Sequence, residues 1–179
     1  MIPREVEEIW DKYKLSEEVR RHCLRVAELA LKIAKNVKNE RVDLKVVYIG
    51  ALLHDIGRAI THNPFLHFIK SAEILRKEGF DEKIVKIAER HFSAGLRADE
   101  AKKLGLPARD FMPESVEEKI VSFADNLVFG DKICSFEDFM KRLDEIDKIN
   151  PELKWLTDVT RKRAKKLKAE IEGLTGLRF

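Results

Sequence analysis

The chain has 179 residues, of which 44% are hydrophobic and 37% charged, with 35 basic against 32 acidic side chains and a net charge of +3. That much apolar content excludes a disordered tail, and so small an imbalance excludes a protein organised around a strong basic field. No apolar run approaches the roughly 20 residues that a membrane span needs, the first residues are charged from the fourth on, and a cytoplasmic location without a signal peptide is expected.

Nearly every segment reads at helical period, and no alternating strand pattern of useful length is found. The expected fold is all-α: one domain over residues 1–179, a helical bundle of about seven to nine helices, with a core over about 16–130 and a helical extension over 131–179. A first helix is predicted over 3–13, with Pro3 in its first turn. A long one follows over about 16–37, with an apolar stripe of Val26, Leu29, Ala30 and Ile33 that His22 joins. A third starts after Asp43 as N-cap and ends near Gly57, placing Val46, Gly50, Leu53, His54 and Gly57 on one face. Pro64 marks the next start and Gly79 the next stop. Asp81 caps a helix to about Phe92, with Phe80 and Val85 placed for a hydrophobic staple and Ile84, Ile87, Ala88 and His91 facing inward. Residues 93–114 are irregular and suit a loop over a site. Ser115 and Glu118 form a capping box for a helix to about Gly130. Ser135 caps another, and Asn150-Pro151 opens the last, to about Gly173. Cys23 and Cys134 fit no metal or redox spacing and are expected as buried, reduced thiols. The Lys- and Glu-rich composition points to a heat-adapted source.

His22, His54, Asp55, His67, His91 and Asp125 recur on or beside the inward faces of different helices. One histidine on an apolar stripe is ordinarily a core residue with its hydrogen bonds made. Six such groups are another matter, because burying them together without partners is costly. Imidazole and carboxylate are also good ligands for divalent metals in helical bundles. The adjacent pair His54-Asp55 is the sharpest signal: neighbours on a helix point about 100° apart, so both can hold one ion from a helix end.

The string LLHDIGR, Leu52 to Arg58, resembles the HDIG variant of the HD-domain phosphohydrolase superfamily. The family pattern is a histidine on an early helix, an adjacent His-Asp and a distal Asp, matched in order by His22, His54-Asp55 and Asp125. His67 and His91 match the two further histidines with which some members bind a second metal. Arg58 stands where many members have Lys, and Phe92 stands where members with two metals often place another His.

The resemblance implies a metal-dependent phosphohydrolase with one or two divalent ions per chain (Mn, Ni, Co, Fe, Mg or Zn). It implies His22, His54, Asp55, Asp125, His67 and His91 as metal ligands. Asp55, Arg58, His67 and His91 are the expected catalytic residues. Asp55 would bind or bridge the ions, Arg58 would hold a phosphate oxygen, and His67 or His91, if not a ligand, would contact phosphate or pass a proton. Metal-activated water would attack phosphorus. The expected substrate is a small phosphomonoester or phosphodiester, a nucleotide first. Alternatives are an RNA end or cyclic phosphate, and a binding module that keeps the metal without turnover. His62 and Lys70 are weaker candidates for substrate contact, and Phe111, Phe123 and Phe129 for base stacking, with a loop position, solvent and core packing as their ordinary uses. The cluster Arg161 to Lys168 could meet a nucleic-acid backbone, but in a Lys-rich chain such a run is more often a solvated helix face. No membrane partner is expected, and the chain is expected to act as a monomer or a homodimer.

Overall fold

The computed structural model describes all of residues 1–179. Its helices are α1 (Arg4–Lys12), α2 (Glu17–Lys35), α3 (Leu44–Leu53), α4 (His67–Lys77), α5 (Glu82–Glu89), α6 (Ala98–Lys103), α7 (Val116–Asn126), α8 (Phe136–Ile149) and α9 (Lys154–Thr175). Short 3-10 turns at Ile56–Ala59 and Pro151–Leu153 follow α3 and α8. A small antiparallel hairpin, β1 (Val128–Phe129) and β2 (Lys132–Ile133), joins α7 to α8.

Local chemistry sets most starts. Ser16, Asp43, Asp81, Ser115 and Ser135 each accept a hydrogen bond from a backbone N–H of the following turn, satisfying donors that have no partner inside the helix. The capping box at Ser115–Glu118 is formed, and a second one joins Ser135 to Asp138. Pro3 caps α1 from outside rather than lying in its first turn.

α2 and α3 pack along one another, with α7 against both; α5 lies on α3, α4 on α5, and α9 on α7 and α8. One continuous apolar cluster runs from Val6 in α1 to Ile171 in α9. A second, smaller one joins Phe68, Leu96, Ala101, Leu106, Phe111 and Leu156 beneath the 93–114 segment. Cys23 is buried as expected, whereas Cys134 is only half-buried beside the hairpin. No helix is long and apolar enough to cross a membrane.

Several predicted boundaries are corrected. α3 stops at Leu53 rather than near Gly57, and α5 at Glu89 rather than near Phe92. In both places the cause is a histidine just past the helix end. His54 and His91 turn their Nδ1–H groups back onto the carbonyls of Ala51 and Ala88, each at 2.6 Å. These are last-turn carbonyls that the helix leaves unsatisfied.

Gly57 is therefore no helix stop. It lies inside the 3-10 turn, and a Cβ there would stand 2.1 Å from the His67 carbonyl oxygen and 2.5 Å from the Ser71 backbone nitrogen. Its absent side chain lets the turn press against α4. α4 begins at His67, three residues beyond Pro64, and the 93–114 segment contains α6. α7 ends at Asn126, before the hairpin that the sequence did not announce. Its strands are two residues each, too short for a period, and its loop is Gly130-Asp131 with Gly130 at φ 61°, the left-handed geometry that such loops favour. The last helix continues to Thr175 and stops at the left-handed Gly176.

Candidate metal centre

Five elements deliver six side chains to one place: His22 from α2, His54 and Asp55 from the end of α3, His67 from the start of α4, His91 from beyond α5 and Asp125 from α7. Their nitrogen and oxygen atoms form overlapping groups, each within 4.8 Å. His22 Nε2 is 3.0 Å and His54 Nε2 3.2 Å from Asp125 Oδ1. Both are 3.6 Å from Asp55 Oδ2. On the other side, His67 Nε2 and His91 Nε2 are each 3.2 Å from Asp55 Oδ1 and 3.1 Å from each other. Asp55 thus shows one oxygen to each half of the cluster. The structure brings together all six residues that the sequence singled out.

The histidines share one orientation. Nδ1 of His22 lies 2.6 Å from the Gly130 carbonyl, and His54 and His91 bond Ala51 and Ala88 in the same way. Nδ1 of His67 is 3.4 Å from the Asn63 carbonyl, a longer contact. A carbonyl only accepts, so the proton of each neutral ring sits on Nδ1 and the Nε2 lone pair faces the cluster. This assigns the tautomer from the hydrogen-bond partners.

That arrangement tests whether a metal fits. Two bare imidazole nitrogens 3.1 Å apart repel unless a cation lies between or beside them. Asp55 Oδ1 is buried with no hydrogen-bond partner, although both nitrogens lie close to it. Unpartnered buried polar atoms are rare in native proteins. Ligands about 2.0–2.2 Å from a common ion stand roughly 3–3.5 Å apart, which matches these separations. Electrostatics agree. Burial pushes the Asp55 carboxyl up, yet His54, His67 and His91 hold it well below the usual carboxylate range. Asp125 is likewise lowered against its burial by His54 and His22. Burial pushes the His54 imidazole down, but the negative groups around it, Asp55 first, raise it well above its ordinary value. The residues present fit one or two divalent cations.

A cleft of about 480 Å³ opens onto this cluster, reaching His22, Asp55 and Asp125 on its floor. His54, His67 and His91 lie beneath, almost wholly buried. Arg58 lines the cleft, but its Nε donates to Asp55 Oδ2 at 2.9 Å. Arg58 thus holds that carboxylate while also lining the cleft. His62 lies on the rim. Lys70 turns to Glu73 instead. Phe111 and Phe123 are core residues, whereas Phe129 is 64% exposed and lines the cleft.

Sequence reasoning missed the opposite wall. Phe139, Arg142, Leu143 and Ile146 of α8 complete the cleft. Arg142 donates to the Asn126 carbonyl at 2.6 Å and lies 4.9 Å from the Phe129 ring centre. The only local signal was an arginine beside the apolar stripe of α8. Half of the basic run on α9 is neutralised: Arg161 meets Asp144, Asp147 and Asp158, Arg163 forks onto Glu100, and Lys168 pairs with Glu172.

The chain is 48% identical over 142 residues to an uncharacterized protein, MJ0778, of Methanocaldococcus jannaschii, covering 78% of this chain and 83% of that one. It is 42% identical over 156 residues to a protein of Picrophilus torridus named tRNA (cytidine(56)-2'-O)-methyltransferase; the match covers 87% of this chain but 42% of that protein. The phosphodiesterase PgpH HD domain of L. monocytogenes, solved in complex with cyclic-di-AMP, superposes with a TM-score of 0.52 at 18% identity, covering 97% and 98% of the two chains, which shows a common fold. The HD domain family profile matches residues 19–130, a span that holds all six clustered side chains, and the chain belongs to that family.

Proposed function

We propose that the protein is a metal-dependent phosphohydrolase that cleaves a phosphodiester bond of a nucleotide substrate. The observation that carries this reading is the convergence of four imidazole Nε2 atoms on the two oxygens of Asp55, at the floor of a cleft that solvent reaches. His22, His54, Asp125 and Asp55 Oδ2 would hold one divalent ion, and His67, His91 and Asp55 Oδ1 a second. Such ions acidify a water molecule and offset the charge of phosphoryl oxygens.

The chain's own residues do the rest. Arg58 holds Asp55 in place through Nε and lines the cleft, where its guanidinium would meet a phosphate oxygen. The apolar wall of Phe129, Phe139, Leu143 and Ile146, with Arg142 over Phe129, seats a nucleobase. The polar floor and apolar wall together match a ligand with a phosphate at one end and a ring at the other. The PgpH complex with cyclic-di-AMP supports a nucleotide diester. Methyl transfer is not carried over, because the relative so named extends far beyond the matched part.

RNA is a second reading. It is favoured by the exposed lysines Lys162, Lys165 and Lys166, which remain on α9 after the ion pairs are counted. The test is elemental analysis of the purified chain together with turnover of cyclic dinucleotides, linear dinucleotides, RNA and simple monoesters, with Mn²⁺, Co²⁺, Ni²⁺ or Mg²⁺ added. Metal with diester turnover, both lost in Asp55→Ala, supports the proposal. Metal without turnover of any ester rejects it in favour of a binding module. Steep salt dependence on RNA alone moves the substrate to RNA.

A further inference from the structure

The chain has five histidines. Four are held with Nδ1 against a backbone carbonyl and Nε2 toward the cluster. Such a ring has no nitrogen left to exchange a proton with a substrate. His62 is the fifth, and its ring is exposed on the rim of the same cleft.

The backbone under His62 is fixed although the side chain is free. The Thr61 N–H donates to the Gly57 carbonyl. The Asn63 N–H donates to the Thr61 hydroxyl, and the Asn63 side chain accepts from the Phe65 N–H. The Asn63 carbonyl in turn receives the backbone N–H of His67. One short segment thus carries a cluster ligand at one end and a free imidazole in its middle. The other charged or titratable groups facing the cleft are Glu18, His22, Asp55, Arg58, Asp125 and Arg142. Two are arginines, which do not give up a proton in proteins, and three belong to the cluster.

We propose that His62 is the general acid of the hydrolysis, protonating the leaving oxygen. This rests on the phosphodiesterase reading above. Water oxygen forms a bond to phosphorus and its proton passes to solvent. The bond from phosphorus to the ester oxygen breaks, the electron pair stays on that oxygen, and the His62 imidazolium N–H supplies its proton, so the product leaves as an alcohol. Solvent at the exposed rim reprotonates His62. An imidazole suits the task because its ring nitrogens can both donate and accept a proton.

The experiment compares two diesters that differ in the leaving group. One is a linear dinucleotide, which must expel a ribose alkoxide; the other is a nucleoside p-nitrophenyl phosphate, whose leaving group needs no proton. Wild type, His62→Gln and Glu18→Gln are assayed with the same metal, and thermal melts establish that each variant is folded. His62→Gln is expected to lose about 100-fold in kcat on the dinucleotide and at most a few-fold on the p-nitrophenyl ester. Added imidazole should restore part of the loss in His62→Gly. An equal loss on both substrates, no loss on either, or a leaving-group-dependent loss in Glu18→Gln instead overturns the assignment while leaving the hydrolase standing. A wild type that turns over neither diester overturns both.

Discussion

His67 and His91 meet through their Nε2 atoms at 3.1 Å, while each turns Nδ1 toward a carbonyl of its own neighbourhood, Asn63 or Ala88. Neither ring can donate a proton to the other in its neutral form, and the nearest charge is the unpartnered Oδ1 of Asp55. The pair fits a cation. His91→Ala is expected to lower bound metal by one equivalent per chain while leaving the His22–His54–Asp125 group loaded, and to lower turnover at least 100-fold. Metal stoichiometry by elemental analysis decides this; an unchanged stoichiometry would show that His67 and His91 are core residues.

Metal removal should cost stability. A ligand present at 100 times its Kd stabilises the native state by about 2.7 kcal/mol, which for a chain of this size corresponds to about 5–10 °C in Tm. Calorimetry of the loaded protein with and without a chelator is expected to show a drop of that order. Asp55→Asn, which removes the charge shared by both halves, should abolish the difference.

Gly57 tests the packing of the turn. A Cβ would collide with the His67 carbonyl and the backbone nitrogen of Ser71, and both are backbone atoms that cannot swing aside. Gly57→Ala is expected to cost about 2–3 kcal/mol and to weaken metal binding through displacement of His67. Chemical denaturation and metal titration measure the two effects. A variant as stable as the wild type would mean that the turn does not press on α4.

The wall from α8 and the hairpin tests the substrate class. Stacking of a base on an aromatic ring contributes about 1–3 kcal/mol. Phe129→Ala is therefore expected to raise KM for a nucleotide diester about 10-fold, equivalent to ~1.4 kcal/mol, with a smaller effect on esters that lack a base. Equal changes on both kinds of ester would remove the wall from base recognition.

Acid stability should depend on the junction of α8 and α9. The Thr157 hydroxyl first, and the Arg161 guanidinium after it, hold the Asp147 carboxyl below its usual range. A carboxyl lowered in the folded state stabilises above its unfolded pKa of about 3.9 and loses that contribution as pH falls through the folded value. Asp147→Asn is thus expected to be less stable than the wild type at pH 6, with the gap closing below about pH 4. Denaturant midpoints across that range check the sign.

The amino-acid sequence by itself determined the helices other than α6 and most of the residues that face inward, because both follow from local chemistry: the 3.6-residue period, the serine and aspartate caps, and the glycine at Gly79. It also pointed to His22, His54, Asp55, His67, His91 and Asp125, since burying six such groups has few explanations. It misplaced the ends of α3 and α5, because His54 and His91 cap their own helices and stop them earlier than the apolar pattern does. Tertiary structure alone decided the rest. That Asp55 divides its two oxygens between the histidine pairs depends on where five elements meet. The ring of His22 is oriented by Gly130, 108 positions away in the chain. The wall of the cleft comes from α8, which local pattern describes only as one more amphipathic helix. Period and capping are properties of neighbours in sequence, whereas a shared carboxylate and a cleft wall are properties of faces brought together by burial.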